Sequence, residues 1–137
     1  MDITVNYFAV VVAAVVAYAV GALWHSPAGF GKQWQRMMGL SADSMKNMPL
    51  TAPQAMGIGF VVTLLVAFVL AYFQVLVGAN SIPVALQLGF WVWLGFLAPT
   101  LANGWLWEGK SWKLFAFNAA YALVNIEIMA LVLGLWH

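Results

Sequence analysis

Few residues in this chain can do chemistry, and the most unusual is Glu127, inside the long apolar run 114–136. It lies nine residues before Trp136, which puts it roughly 14 Å from that end of a helix and near a bilayer midplane. A bare carboxylate is too costly to persist there, so the acid must carry its proton or share the site with a partner, water or a cation. Glu127 is therefore a candidate proton or cation site, or else a neutral acid hydrogen-bonded to a neighbouring helix. Tyr18 and Tyr72 fall at comparable depths and are the expected partners. Asn118 and Asn125, seven residues apart with Tyr121 between them, share one face of this run, while Glu127 projects from nearly the opposite side. The segment should therefore meet other helices on both sides.

A second polar group is expected where apolar runs end. Gly21-x-Leu23-Trp24-His25 closes one run and Gly104-x-Leu106-Trp107-Glu108 closes another. The match reads as a weak trace of a duplicated two-helix unit, which would bring His25 and Glu108 to equivalent places, with Asn103 close by. The alternative is chance or shared interface chemistry, because Gly, Leu and Trp are common here and Trp is enriched at membrane borders in any case. Under the first reading His25 and Glu108 form a polar mouth.

Other chemistries are excluded. There are no cysteines, hence no disulfides, thiolate metal sites or cysteine nucleophiles. Two histidines, one of them at position 137, do not make a metal site without further ligands. His25-Ser26 matches a base and nucleophile in composition alone, since adjacent side chains rarely face one another. Gly29-Phe30-Gly31-Lys32 lacks the strand context and length of a phosphate loop. The seven methionines read as lipid-facing or core filler. No catalytic residues, metal or cofactor are expected, and the chain is read as a non-enzyme.

The elements that must hold these residues follow from composition. Only 7% of the 137 residues are charged and mean hydropathy is +0.93, whereas a soluble domain needs about a quarter charged to cover its surface. The net charge of +1 offers no field for nucleic acid. Four runs, about 5–24, 55–77, 84–104 and 114–136, approach the ~20 residues of a spanning helix, and in lipid such runs must be helical. The expected fold is all-α: one domain over 1–137, a four-transmembrane-helix bundle. Ala17-Tyr18-Ala19 fits a signal-cleavage pattern, but the start is acidic and the run long, so the first span is read as retained.

All five Lys and Arg follow span one (Lys32, Arg36, Lys46) or span three (Lys110, Lys113). The positive-inside rule then makes the 25–53 and 105–113 loops cytoplasmic and puts both termini and the 78–83 loop outside. Within 25–53, Phe30, Trp34, Met37 and Met38 recur at helical spacing while Lys32, Gln33, Gln35 and Arg36 point elsewhere. This predicts an amphipathic interfacial helix between spans one and two, stopped at Gly39, with Ser41 capping another short turn through Met45. Thr51-x-x-Gln54 predicts a capping box on span two, and Ser81 a cap on span three. Pro99 should kink span three near Gly95.

Ala9, Ala13, Ala17 and Gly21 repeat every four residues on span one, a face on which another backbone can come close. It serves either an oligomer interface or packing within the bundle. Trp24, Trp34, Trp105, Trp107 and Trp112 all fall at the basic end and read as interfacial anchors.

Trp24-His25-Ser26-Pro27, Phe30-Gly31, Trp34, Trp93-x-Gly95-Phe96, Asn103, Glu108-Gly109-Lys110-Ser111-Trp112-Lys113 and Phe115-x-x-Asn118 together resemble a bacterial four-span integral membrane protein family known only as a domain of unknown function. The resemblance covers nearly the whole chain and implies a multi-pass protein of a bacterial cytoplasmic (inner) membrane, in contact with lipid. In that family Tyr is common at the position of His25. The resemblance implies no activity.

On the residues alone, the leading expectation is a non-catalytic helix-packing or assembly protein, as a homo-oligomer or with other membrane-protein subunits. A small transporter or channel using Glu127 and the His25/Glu108 mouth is the alternative, followed by binding of lipid or another hydrophobic ligand. The charge count yields the first test. A reporter fused after His137 should report an external position and one inserted near Ser41 a cytoplasmic one; the reverse at both sites would overturn the orientation.

Overall fold

The computed structural model of the chain describes residues 3–40, 44 and 46–137. Four helices are long and apolar enough to cross a membrane: Tyr7–Trp24, Ala52–Val77, Ile82–Trp107 and Trp112–Leu135. With a short helix after the first, they make an all-α four-helix bundle with no strand among the described residues. We label them α1 (Tyr7–Trp24), α2 (Gly31–Met38), α3 (Ala52–Val77), α4 (Ile82–Val92), α5 (Ala98–Trp107) and α6 (Trp112–Leu135). Span three is α4 and α5 joined by the π-helical turn Trp93–Leu97.

The ends follow local chemistry. Asn6 caps α1 by accepting from the Ala9 amide at 3.2 Å. Thr51 and Gln54 form the expected capping box, with Thr51 N–H donating to Gln54 Oε1 at 3.0 Å and Gln54 N–H to Thr51 Oγ1 at 3.3 Å. This box starts span two at Ala52, three residues before the apolar run itself. Gly39 closes α2 with φ 68° and Gly78 closes α3 with φ 71°, left-handed values that favour glycine. Ser81 does occupy the N-cap position of span three, but its side chain makes no capping bond. Pro83, two residues on, lacks one of the two amides such a cap would serve. Ser41 and Met45 lie outside the described residues.

The break expected from Pro99 takes the form of the π-turn. The Ala98 amide donates to the Trp93 carbonyl, one residue further back than in an α-helix. The extra residue absorbs the backbone bond that Pro99 cannot make.

Span four is the centre of the bundle: span one packs along one side of it and span three along another, while span two leans chiefly on span one. The small stripe explains the first contact. Ala9, Ala13, Ala17 and Gly21 are all buried within the single chain, against a core that includes Ile126, Met129, Ala130 and Leu133. In lipid no hydrophobic force drives helices together, so close backbone approach of this kind has to supply the packing. At the other seam a Cβ on Gly134 would sit 3.0 Å from that of Ala85, so spans three and four also meet through small residues.

The stripe generates a stability test. Ala13 is fully buried whereas Val12 is 37% exposed. Ala13→Leu should lower the thermal midpoint in detergent, an overpacking cost of about 1–3 kcal/mol, while Val12→Leu should leave it essentially unchanged. Equal midpoints for wild type and Ala13→Leu would mean the stripe is not a packing face.

Candidate functional site

The polar residues of span four sort onto two seams. On the side of span one, Asn125 Nδ2 donates to the Ala17 carbonyl at 3.0 Å and to the Tyr121 hydroxyl at 3.4 Å. The Tyr121 hydroxyl in turn lies against Gly21, where a Cβ would collide with it. Gly21 thus makes room for a polar side chain as well as for a backbone. Gln74 of span two, 4% exposed, donates from Nε2 to the Ala130 carbonyl at 3.3 Å. It also lines a cavity of about 220 Å³ at the end of the bundle away from the basic loops, together with Asn6, Asn80 and His137.

On the side of span three stands Glu127. Its Oε1 is buried and has no hydrogen-bond partner. The same oxygen rests against Gly89 of α4, so a side chain at position 89 would collide with it. One turn along span three, Trp93 opens the π-turn and donates its Nε1 to the Ala119 carbonyl at 2.8 Å, pinning the two helices beside the acid. A buried oxygen without a partner forfeits its hydration with no return, about 1–3 kcal/mol for a neutral group and more for a charged one.

Neither expected tyrosine partner reaches Glu127. The Tyr18 hydroxyl donates to the Met56 carbonyl at 2.6 Å and its ring packs edge-on to Phe60, both on span two. Tyr72 is 39% exposed. The reason is placement, because Glu127 faces span three whereas spans one and two meet the other sides of span four.

The expected mouth also divides. His25 Nδ1–H donates to the Gly21 carbonyl at 2.9 Å, and its ring packs edge-on against Trp34, Phe117 and Tyr121. Glu108 lines a separate cavity with Lys110, Asn118 and Thr100. No ion pair joins His25 and Glu108 among the described residues, since spans one and three pack on span four rather than side by side. Asn103 is exposed.

The stretch from Trp24 to Trp34 is a compact lock. Phe30 N–H donates back to the Trp24 carbonyl at 2.7 Å, Gly31 N–H to Ser26 at 2.9 Å, and the Ser26 hydroxyl to Leu23 at 2.7 Å. A Cβ at Gly31 would lie 2.5 Å from the His25 carbonyl oxygen, so the fold-back requires glycine there. It carries the amphipathic helix α2 onto the start of span four, with Trp24 among Phe30, Phe117 and Tyr121. Trp24 and Trp34 are half-buried in this cluster, whereas Trp105, Trp107 and Trp112 are exposed, as anchors would be.

Gln74, Gly89 and Trp93 are the site residues that sequence reasoning missed. Gln74 was detectable, being an isolated amide in an apolar run. Gly89 and Trp93 carry no such mark, because their roles depend on what span four places opposite them. No group of three or more potential metal ligands occurs among the described residues.

A family model described as "Protein of unknown function (DUF1761)" matches residues 8–134. No curated protein and no solved structure matches the chain.

If Glu127 rests against Gly89, the two positions must be coupled. Gly89→Ala should destabilise the protein in detergent unfolding by about 1–3 kcal/mol. Adding Glu127→Ala should recover part of that loss, because the collision is removed. Strictly additive losses would show that the two do not touch.

Proposed function

We propose that this chain, which belongs to the family described as "Protein of unknown function (DUF1761)", is a small proton-linked membrane carrier whose binding group is the Glu127 carboxyl. The observation that supports this reading is the buried, unpartnered Glu127 Oε1 in the seam between spans three and four. A purely structural acid at that depth is expected to have a hydrogen-bond partner on the neighbouring helix; here the neighbour is Gly89, which has no side chain to offer. The oxygen is left available to a proton or a small cation, and ionisable groups at such depths commonly mark proton and ion pathways.

A further feature favours motion at this seam. The π-turn Trp93–Leu97 and Pro99 interrupt the regular backbone ladder of span three just beyond Gly89. Such interruptions concentrate at functional sites and act as hinges.

The stripe Ala9/Ala13/Ala17/Gly21 does not argue for association with a second copy, because the chain's own helices cover it. An assembly role would have to use another face.

Liposomes carrying wild-type protein under an imposed pH gradient should equilibrate internal pH faster than empty ones, alone or with a co-supplied solute, as followed by a trapped dye. Glu127→Gln keeps shape and hydrogen bonding but loses the titratable proton, and should abolish that flux while the protein still folds. Equal rates for wild type and Glu127→Gln across the solutes supplied would refute the carrier reading.

A further inference from the structure

We propose that Glu108 and Lys110 form a binding site for a zwitterion, a molecule that carries a primary ammonium and an anionic group a few ångströms apart. This inference is independent of Glu127. The two side chains are set by the turn that ends α5. Lys110 N–H donates to the Gly104 carbonyl at 3.0 Å, and Gly109 adopts φ 72°. The turn folds both side chains back over the same glycine: a Cβ on Gly104 would lie 3.5 Å from Glu108 Oε2 and 3.4 Å from Lys110 Cδ. Despite this shared floor, no ion pair forms between them among the described residues.

Both line a cavity of about 140 Å³, whose other polar walls are Asn118 and Thr100. Thr100 already donates its hydroxyl to the Phe96 carbonyl at 2.6 Å, so it is left as an acceptor. Glu108 can accept from an ammonium, Lys110 can donate to an anion, and the Asn118 amide offers one of each. A lone cation or a lone anion would meet one of the two charges and be repelled by the other. The volume is well below the ~300 Å³ at which drug-sized pockets begin, and fits a head group or an amino acid.

The cavity lies at the basic end of spans three and four, flanked by the exposed Trp105, which stacks on Phe115 at 6.0 Å. Exposed tryptophans mark the level of lipid head groups. The same chemistry therefore has two sources, the head group of an ethanolamine phospholipid and a free zwitterion such as phosphoethanolamine or glycine.

The test has two arms. Protein in nanodiscs of equal phosphatidylethanolamine and phosphatidylcholine is released into native mass spectrometry and its retained lipid counted. The ethanolamine lipid should be enriched roughly three- to ten-fold, the discrimination of a charge-assisted hydrogen bond that a trimethylammonium cannot make. Glu108→Gln should return the ratio to that of the bilayer, Lys110→Gln, which loses a contact to the phosphate that both lipids carry, should lower the number of lipids retained, and Lys32→Gln, a charge removed elsewhere, should do neither. In the second arm the thermal midpoint is read with phosphoethanolamine or glycine added. A rise in wild type that both pocket variants lose, without lipid enrichment, assigns the site to a soluble zwitterion. Should a single variant misfold, the exchange Glu108→Lys with Lys110→Glu keeps both charges and must keep the preference. No lipid preference together with no midpoint shift overturns the proposal, as does enrichment that survives Glu108→Gln.

Discussion

The structure depends on one constraint: in lipid, helices are not pushed together by water, so they associate only where backbones can approach or polar groups can bond across. Span four satisfies this on two sides at once. Toward span one it meets alanines and Gly21, and bonds to the Ala17 carbonyl through Asn125. Toward span three it meets Ala85 and Gly89, and accepts a bond from Trp93 at the Ala119 carbonyl. Most of the polar chemistry of the membrane interior is consequently gathered on one helix or aimed at it. Gln74, the buried amide of span two, also bonds to a span-four carbonyl.

The two seams differ in a way that matters for function. In the seam with span one, Asn125 has its acceptors and Gly21 fits the Tyr121 hydroxyl, while the buried Nε1 of Trp24, at the basic end, has no hydrogen-bond partner. The seam with span three leaves one oxygen of Glu127 without a partner and lies beside the only π-turn among the described residues. The lock around Trp24–Trp34 reinforces the first by fastening α2 over the start of span four.

Much of this was legible in the sequence because it follows from local rules. Span positions came from run length, the start of span two from Thr51 and Gln54, the end of α2 from Gly39. The stripe on span one and the opposed faces of Asn125 and Glu127 came from helical periodicity, which also implied that span four has neighbours on both sides. What was not legible was which neighbour stands where. Tyr18 has the right depth to meet Glu127, but depth does not encode azimuth, and it bonds to Met56 instead. His25 and Glu108 end similar motifs, yet they belong to spans that do not share a seam. Gly89 matters only because Glu127 lies opposite, a relation between residues far apart in the chain.

The central claim is that span four lies between spans one and three, with its Glu127 face turned to α4. Cross-linking in the native membrane tests it most directly, because the chain has no cysteine and any disulfide must come from introduced pairs. The pair Ala85→Cys with Gly134→Cys, where a Cβ on residue 134 would lie 3.0 Å from that of residue 85, needs the seam to widen only to the roughly 3.5–4.5 Å of a disulfide and should oxidise to an intramolecular one. The pair Ala13→Cys with Ala85→Cys, on the two helices that span four separates, should not. Efficient linkage of the second pair and none of the first would contradict the arrangement and the site built on it.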